Sequence, residues 1–81
     1  MGKLDINELE DVAGGRISSE AACQKALKYI GLNKYRVTLK KNVLVTDEGT
    51  PKYDIVFTSA GVTYEFYINA DTGNVMGYTA N

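Results

Sequence analysis

The chain of 81 residues contains no histidine, no tryptophan, one proline and one cysteine. Without histidine, it cannot supply a cysteine–histidine catalytic pair or a histidine-containing zinc site. The single cysteine, Cys23, excludes an intramolecular disulfide. No apolar run approaches the roughly 20 residues of a membrane-spanning helix, and no apolar segment marks a secretory signal peptide. The composition excludes these sites and segments, but it does not by itself say what the folded part does. We expect no cofactor, no metal and no stable membrane insertion.

Acidic and basic residues are nearly balanced, and the net charge is −1. This balance excludes the basic footprint of a nucleic-acid-binding protein. The charge is unevenly placed, because residues 1–15 hold one basic and four acidic residues, whereas residues 16–81 hold eight basic and six acidic ones. The change falls at Gly14–Gly15, the only Gly–Gly pair. We interpret this pair as the boundary between an acidic leader, residues 1–15, and a cargo domain, residues 16–81.

The leader has the pattern of a short amphipathic helix, with Leu4, Leu9 and Val12 on one side and acidic residues largely on another. A helix of this length is marginal in water. We therefore expect it to form when it docks into the groove of a partner. The two glycines would end the helix and let a backbone without side chains extend through a narrow slot.

These residues resemble a known export signal, the double-glycine leader of bacteriocins and related peptides. The resemblance is carried by Leu4, Glu8, Leu9, Val12, Gly14 and Gly15. It implies that the cysteine-protease domain of a peptidase-containing ABC transporter recognises the first four and cuts the Gly15–Arg16 bond. The chain would be only the substrate, made in the bacterial cytoplasm and secreted after leader removal. The alternative is a short N-terminal helix closed by a glycine C-cap.

The sequence of the cargo domain predicts one helix followed by strands. Ser18 suits a helix N-cap, apolar residues recur at three- and four-residue steps, and Gly31 is a stop signal, so the helix spans about residues 19–30. From Tyr35 the period changes to two, and turn signals separate four alternating segments. An interruption of the alternation of apolar and polar residues near residues 40–42 predicts a β-bulge. We expect an α+β fold, with one helix on a four-stranded antiparallel meander, preceded by a flexible leader.

Alternation assigns the strand residues to two faces of the sheet. The face expected beneath the helix holds Val37, Leu39, Tyr53, Ile55, Phe57, Tyr64, Phe66, Ile68 and Val75. The other face holds Asp54, Thr58, Glu65 and Tyr67 and is expected to meet solvent or a partner. Tyr67 is either an anchor for that partner or an ordinary surface residue. Lys40 and Lys41 are expected to be solvated.

Three segments of the cargo resemble the PepSY domain: residues 17–22 (ISSEAA), 53–57 (YDIVF) and 64–75 (YEFYINADTGNV). The resemblance covers about residues 17–78, although that family usually has Asp where Asn69 stands. It implies a domain that binds or restrains proteases and has no catalytic residues. A secreted protease is therefore a second candidate partner.

Other candidate chemistry is weak. The acidic residues at 47, 48 and 71 fall in turns, where they are common, and no EF-hand loop is present. Cys23 lies on the apolar stripe of the helix and is expected to be a small buried hydrophobe; an exposed Cys23 would allow an intermolecular disulfide. A membrane-active antimicrobial peptide fits poorly, because the cargo has little net positive charge and a sheet core.

Overall fold

The structure, a computed structural model, describes residues 16–81. The predicted leader, residues 1–15, lies outside the described residues. One helix and four strands follow one another along the chain: α1 (Ser19–Ile30), β1 (Thr38–Asp47), β2 (Thr50–Ser59), β3 (Val62–Asn69) and β4 (Val75–Ala80). The strands form one antiparallel sheet in the order β1-β2-β3-β4. The predicted α+β architecture, a helix on a four-stranded meander, is confirmed.

Both ends of α1 are capped as the sequence predicts. The Ser18 hydroxyl accepts a hydrogen bond of 3.0 Å from the backbone N–H of Ala21, which satisfies one of the donors left unpaired at a helix N-terminus. Glu20 lies in the first turn and Lys28 in the last, where each charge complements the helix dipole. Gly31 ends the helix in the left-handed conformation, with its N–H directed at the carbonyls of Leu27 and Lys28.

The first two hairpins turn in two residues each. Asp47 pairs with Thr50 around Glu48 and Gly49, and Ser59 pairs with Val62 around the second loop, Ala60–Gly61. Both residues of each loop have positive φ. This is the type I′ geometry, whose twist matches that of the flanking strands. The tight turns keep consecutive strands adjacent and give the meander its register.

The core lies between α1 and the two central strands. Phe57, Phe66, Ile55 and Ile68 are the largest fully buried side chains. Ala22 and Ala26 of α1 face them and are also fully buried, so the small alanines let the helix pack closely on the aromatic rings. Burial of these apolar surfaces is the main force that holds the helix on the sheet.

Two local expectations are wrong. Tyr35 does not begin a strand, because Asn33 accepts a hydrogen bond of 2.9 Å from the N–H of Tyr35 and caps a 3-10 turn, Lys34–Arg36. Tyr35 is 85% exposed. Leu39 is not covered by the helix but is 51% exposed, since β1 is an edge strand and Leu39 is not among the residues that pack against the core. The predicted bulge is confirmed by a register shift between Leu39 and Lys41. Within residues 16–81, no helix is long and apolar enough to cross a membrane.

Candidate interaction surface on the open sheet face

The sheet face opposite α1, here called the open face, is formed by alternate residues of all four strands. The pairing register places the following residues on it, among others: Lys41, Val43, Val45, Lys52, Asp54, Val56, Thr58, Thr63, Glu65, Tyr67, Gly77 and Thr79. Asp54, Thr58, Glu65 and Tyr67 thus share this face, as the alternation predicts. No described element covers it, so the open face is the largest part of the sheet available to a partner.

The centre of the open face holds an ion pair between a buried Asp54 and a half-exposed Lys41. Asp54 is only 6% exposed, although no helix packs above it. Lys41 Nζ lies 2.7 Å from Asp54 Oδ2 and compensates the buried charge. The bulge after Leu39 brings Lys41 to this face, because Lys41 pairs with Val56 and lies diagonally from Asp54. Lys41 is exposed, as expected, but it also forms this ion pair, which the sequence pattern does not predict.

The surroundings of the second carboxylate oxygen of Asp54, Oδ1, indicate that Asp54 and Glu65 share a proton. Oδ1 is buried and receives no hydrogen bond from an N–H or hydroxyl group in residues 16–81. The Glu65 carboxyl group is the diagonal neighbour of Asp54 on this face, because Glu65 pairs with Val56 and Asp54 with Tyr67. A carboxyl group can donate a hydrogen bond to another one only if it carries a proton. The hydrogen bond to Asp54, together with burial and the charge of Asp54, raises the pKa of Glu65 above its ordinary value.

Asp54 keeps its negative charge in this pair. Burial alone would raise the pKa of Asp54, but the hydrogen bonds from Lys41 and Glu65 and the positive charges of Lys41 and Lys52 outweigh it. The result is a pKa below the ordinary value for an aspartic acid. The salt bridge also raises the pKa of Lys41, chiefly through its hydrogen bond to Asp54. The proton of the pair therefore belongs to Glu65.

Tyr67 extends this cluster toward β4. The nearby negative charges of Asp54 and Glu65 raise the pKa of its hydroxyl, which is also hydrogen-bonded to Glu65. The ring lies over Gly77, since a Cβ on that glycine would be 3.3 Å from Tyr67 Cδ2. Lys52 on β2 places its Nζ 5.3 Å from the centroid of the Tyr67 ring, which is within cation–π range. Gly77 thus makes room for an aromatic side chain, which is held in place by two charged neighbours.

The arrangement suits recognition of a protein surface better than catalysis. It combines an aromatic ring, a fixed ion pair and apolar side chains such as Val43, which is 44% exposed. The described residues contain no group of three or more acidic or cysteine side chains that could hold a metal ion. Cys23 packs against the core, and burial, followed by the charge of Glu20, raises the pKa of its thiol. That shift opposes formation of the nucleophilic thiolate.

The predicted leader site is described only at its last residue. Leu4, Glu8, Leu9, Val12, Gly14 and Gly15 lie outside the described residues. Arg16 Nε is 3.9 Å from Asp71 Oδ1 in the β3–β4 turn. The next residue, Ile17, donates its backbone N–H to the carbonyl of Ala70 at 2.7 Å. Arg16 and Ile17 are thus attached to the turn and strand end around Ala70 and Asp71.

The fold is a helix on a four-stranded antiparallel sheet with one uncovered face. Residues 16–79 match the family model described as peptidase propeptide and YPEB domain, PepSY. This match covers more than half of the chain, and the chain belongs to the PepSY family. The resemblance that the sequence motifs carry is thereby confirmed for the cargo. No curated protein and no solved structure matches the chain.

Proposed function

We propose that the chain binds a secreted peptidase through the open face and restrains its activity. Family membership supports the class of partner, because the family takes its description from peptidase propeptides. The observation that carries the choice of surface is Asp54, a buried charge on a sheet face that no described element covers. Acidic residues are rarely this buried unless they are paired and needed.

The contacts around Asp54 support this choice of surface. Lys41 fixes one oxygen of Asp54 from β1, while Glu65 and Tyr67 approach from β3. The side chains are thus held in one arrangement before a partner arrives. A preorganised polar surface loses less conformational entropy on binding than one made of mobile side chains.

An inhibition assay with paired surface variants tests the proposal. The full chain is added to each member of a panel of purified secreted metallopeptidases, and hydrolysis of fluorescent casein is followed. Thr63→Arg places a long charged side chain on the open face, whereas Gln24→Arg makes the same change on the exposed side of α1. We expect Thr63→Arg to weaken inhibition at least tenfold and Gln24→Arg to leave it unchanged. Equal inhibition by the two variants, or none by the unmodified chain, contradicts the proposal.

A second candidate function concerns delivery rather than binding. We propose that residues 1–15 act as a double-glycine leader, read by the cysteine-protease domain of a peptidase-containing ABC transporter, and that the PepSY domain is secreted. The observation that favours it is the position of the glycine pair. Gly15 directly precedes Arg16, where the family match begins. The two functions are compatible, because a secreted cargo can bind a secreted peptidase.

Cleavage by an isolated peptidase domain of such a transporter tests the leader. The new N-terminus is read by mass spectrometry, and Arg16 is the expected first residue. Gly15→Leu should block the cut, because a side chain at this position does not fit a slot made for bare backbone. Gly49→Leu provides a control with the same change in a distant loop. Normal cleavage of the Gly15→Leu variant would contradict the proposal that residues 1–15 are a double-glycine leader.

A further inference from the structure

The proton shared by Asp54 and Glu65 gives the open face a second property, which rests on the proposed function. We infer that partner binding on the open face is linked to protonation of Glu65, so that a bound peptidase is released as the pH rises. A partner that covers this face removes water from both carboxyl groups. Covering two adjacent carboxylates is costly, whereas covering one carboxylate and one hydrogen-bonded acid is not.

Geometry limits where the proton can sit. Asp54 pairs directly with Tyr67 and Val56 pairs with Glu65, so the two acidic residues are diagonal neighbours on the same face. Lys41 occupies Oδ2 of Asp54 and holds that group ionised. Oδ1, on a residue that is 6% exposed, then requires a donor. A protonated Glu65 supplies it, and an ionised Glu65 does not.

Within residues 16–81, the titratable groups that act on Glu65 belong to the sheet: Lys41 from β1, Asp54 from β2 and Tyr67 from β3. Lys52, also on β2, lies over the Tyr67 ring. The residues that β4 brings to the open face, Gly77 and Thr79, do not titrate in the relevant range. The helix packs on the opposite face. When Glu65 loses its proton, the new charge therefore lies beside Asp54, while Lys41 is already bound to that residue.

The direction of the pH effect follows from this arrangement. The pKa of Glu65 is raised in the folded chain, so the folded state binds more protons than the unfolded state above the ordinary glutamate value of about 4.3. Covering the face raises this pKa further. Affinity should then fall as the pH rises past the pKa of the free protein, by up to about tenfold per pH unit for one linked proton.

The titration itself is measured on the full chain without a partner. Carboxyl carbon shifts are followed by NMR from pH 3 to 8. We expect Glu65 to titrate above the ordinary glutamate value of about 4.3 and the Asp54 signal to shift in the same step. If Glu65 titrates at the ordinary value, or Asp54 does not respond to Glu65, the inference is overturned.

The binding arm uses Glu65→Gln, since a glutamine amide can donate to Asp54 Oδ1 at every pH. Metallopeptidase inhibition is measured at pH 4.5 to 7.5 for the unmodified chain, Glu65→Gln and the control Glu48→Gln. The unmodified chain and the control should lose affinity as the pH rises, and Glu65→Gln should not. A pH dependence that survives in Glu65→Gln contradicts the linkage. Absence of inhibition in all three, with a normal NMR titration, contradicts the peptidase-binding function instead.

Discussion

The hydroxyl of Tyr53 donates a hydrogen bond of 2.8 Å to the backbone carbonyl of Ile17. Tyr53 is 7% exposed and belongs to β2, whereas Ile17 precedes the N-cap of α1. The N–H of Ile17 is bound as well, to the carbonyl of Ala70 after β3. Both backbone groups of Ile17 are thus held by the sheet. The residues just after the predicted cleavage bond are therefore an integral part of the domain.

Removal of the Tyr53 hydroxyl should loosen this attachment. We expect Tyr53→Phe to lower the free energy of unfolding by about 1 kcal/mol, because the carbonyl of Ile17 loses its buried donor. Urea denaturation measures the change, and hydrogen exchange of the Ile17 amide should accelerate more than that of the core strands. Tyr35→Phe is the matched control, since Tyr35 is 85% exposed. Identical stabilities of the two variants would show that the bond does not hold the segment.

The sequence predicts most of this fold, because its signals are local. Ser18 and Gly31 bound the helix through capping chemistry, and alternation places Ile55 and Phe57 in the core. Alternation wrongly predicts a strand at Tyr35, because the Asn33 side chain binds the N–H of Tyr35 and caps a 3-10 turn there.

The centre of the open face was only partly predictable. Alternation places Asp54 and Glu65 on one face, but the partner of Asp54 depends on which lysine the bulge turns toward it. That choice between Lys40 and Lys41 depends on the pairing of β1 with β2, which no local pattern contains. The burial of Asp54 follows from the same long-range contact.

Loss of the Lys41 ammonium group should affect Asp54 more than the rest of the chain. We expect Lys41→Met to reduce stability at pH 7 and to raise the pKa of Asp54, because a buried carboxylate then lacks its counter-ion. Lys40→Met, one residue away, should change neither. Urea denaturation and NMR titration of Asp54 provide the two readouts. Equal effects of the two substitutions would rule out the ion pair as the reason for the burial of Asp54.

Asp54 and Glu65 predict opposite limbs in the dependence of stability on pH. The pKa of Asp54 is lowered by folding, so stability rises with pH up to the ordinary aspartate value of about 3.9. The pKa of Glu65 is raised, so its contribution to stability decreases above about 4.3. Urea denaturation from pH 2 to 7 should therefore show a maximum in mild acid. The falling limb should disappear in Glu65→Gln, and a decline that persists in this variant would assign it to other groups.

Two glycines in turns allow a test of backbone strain against crowding. Gly49 and Gly73 both have positive φ, and a Cβ at Gly73 would approach Lys25 Cε to 2.7 Å, whereas Gly49 has open space around it. We expect Gly49→Ala and Gly73→Ala each to cost about 1–2 kcal/mol from the left-handed backbone alone. The Lys25 chain is flexible and can move away. A much larger loss for Gly73→Ala, restored by Lys25→Ala, would show that the lysine contact matters.

The most direct test of the binding surface is an NMR footprint of the ¹⁵N-labelled full chain. Spectra are recorded with and without a catalytically inactive variant of a metallopeptidase that the chain inhibits. Amide shifts and line broadening are predicted to concentrate on the open face, around Asp54, Glu65 and Tyr67. The exposed side of α1, including Gln24 and Lys28, should remain unchanged. A footprint centred on α1, with the open face unaffected, would contradict the account.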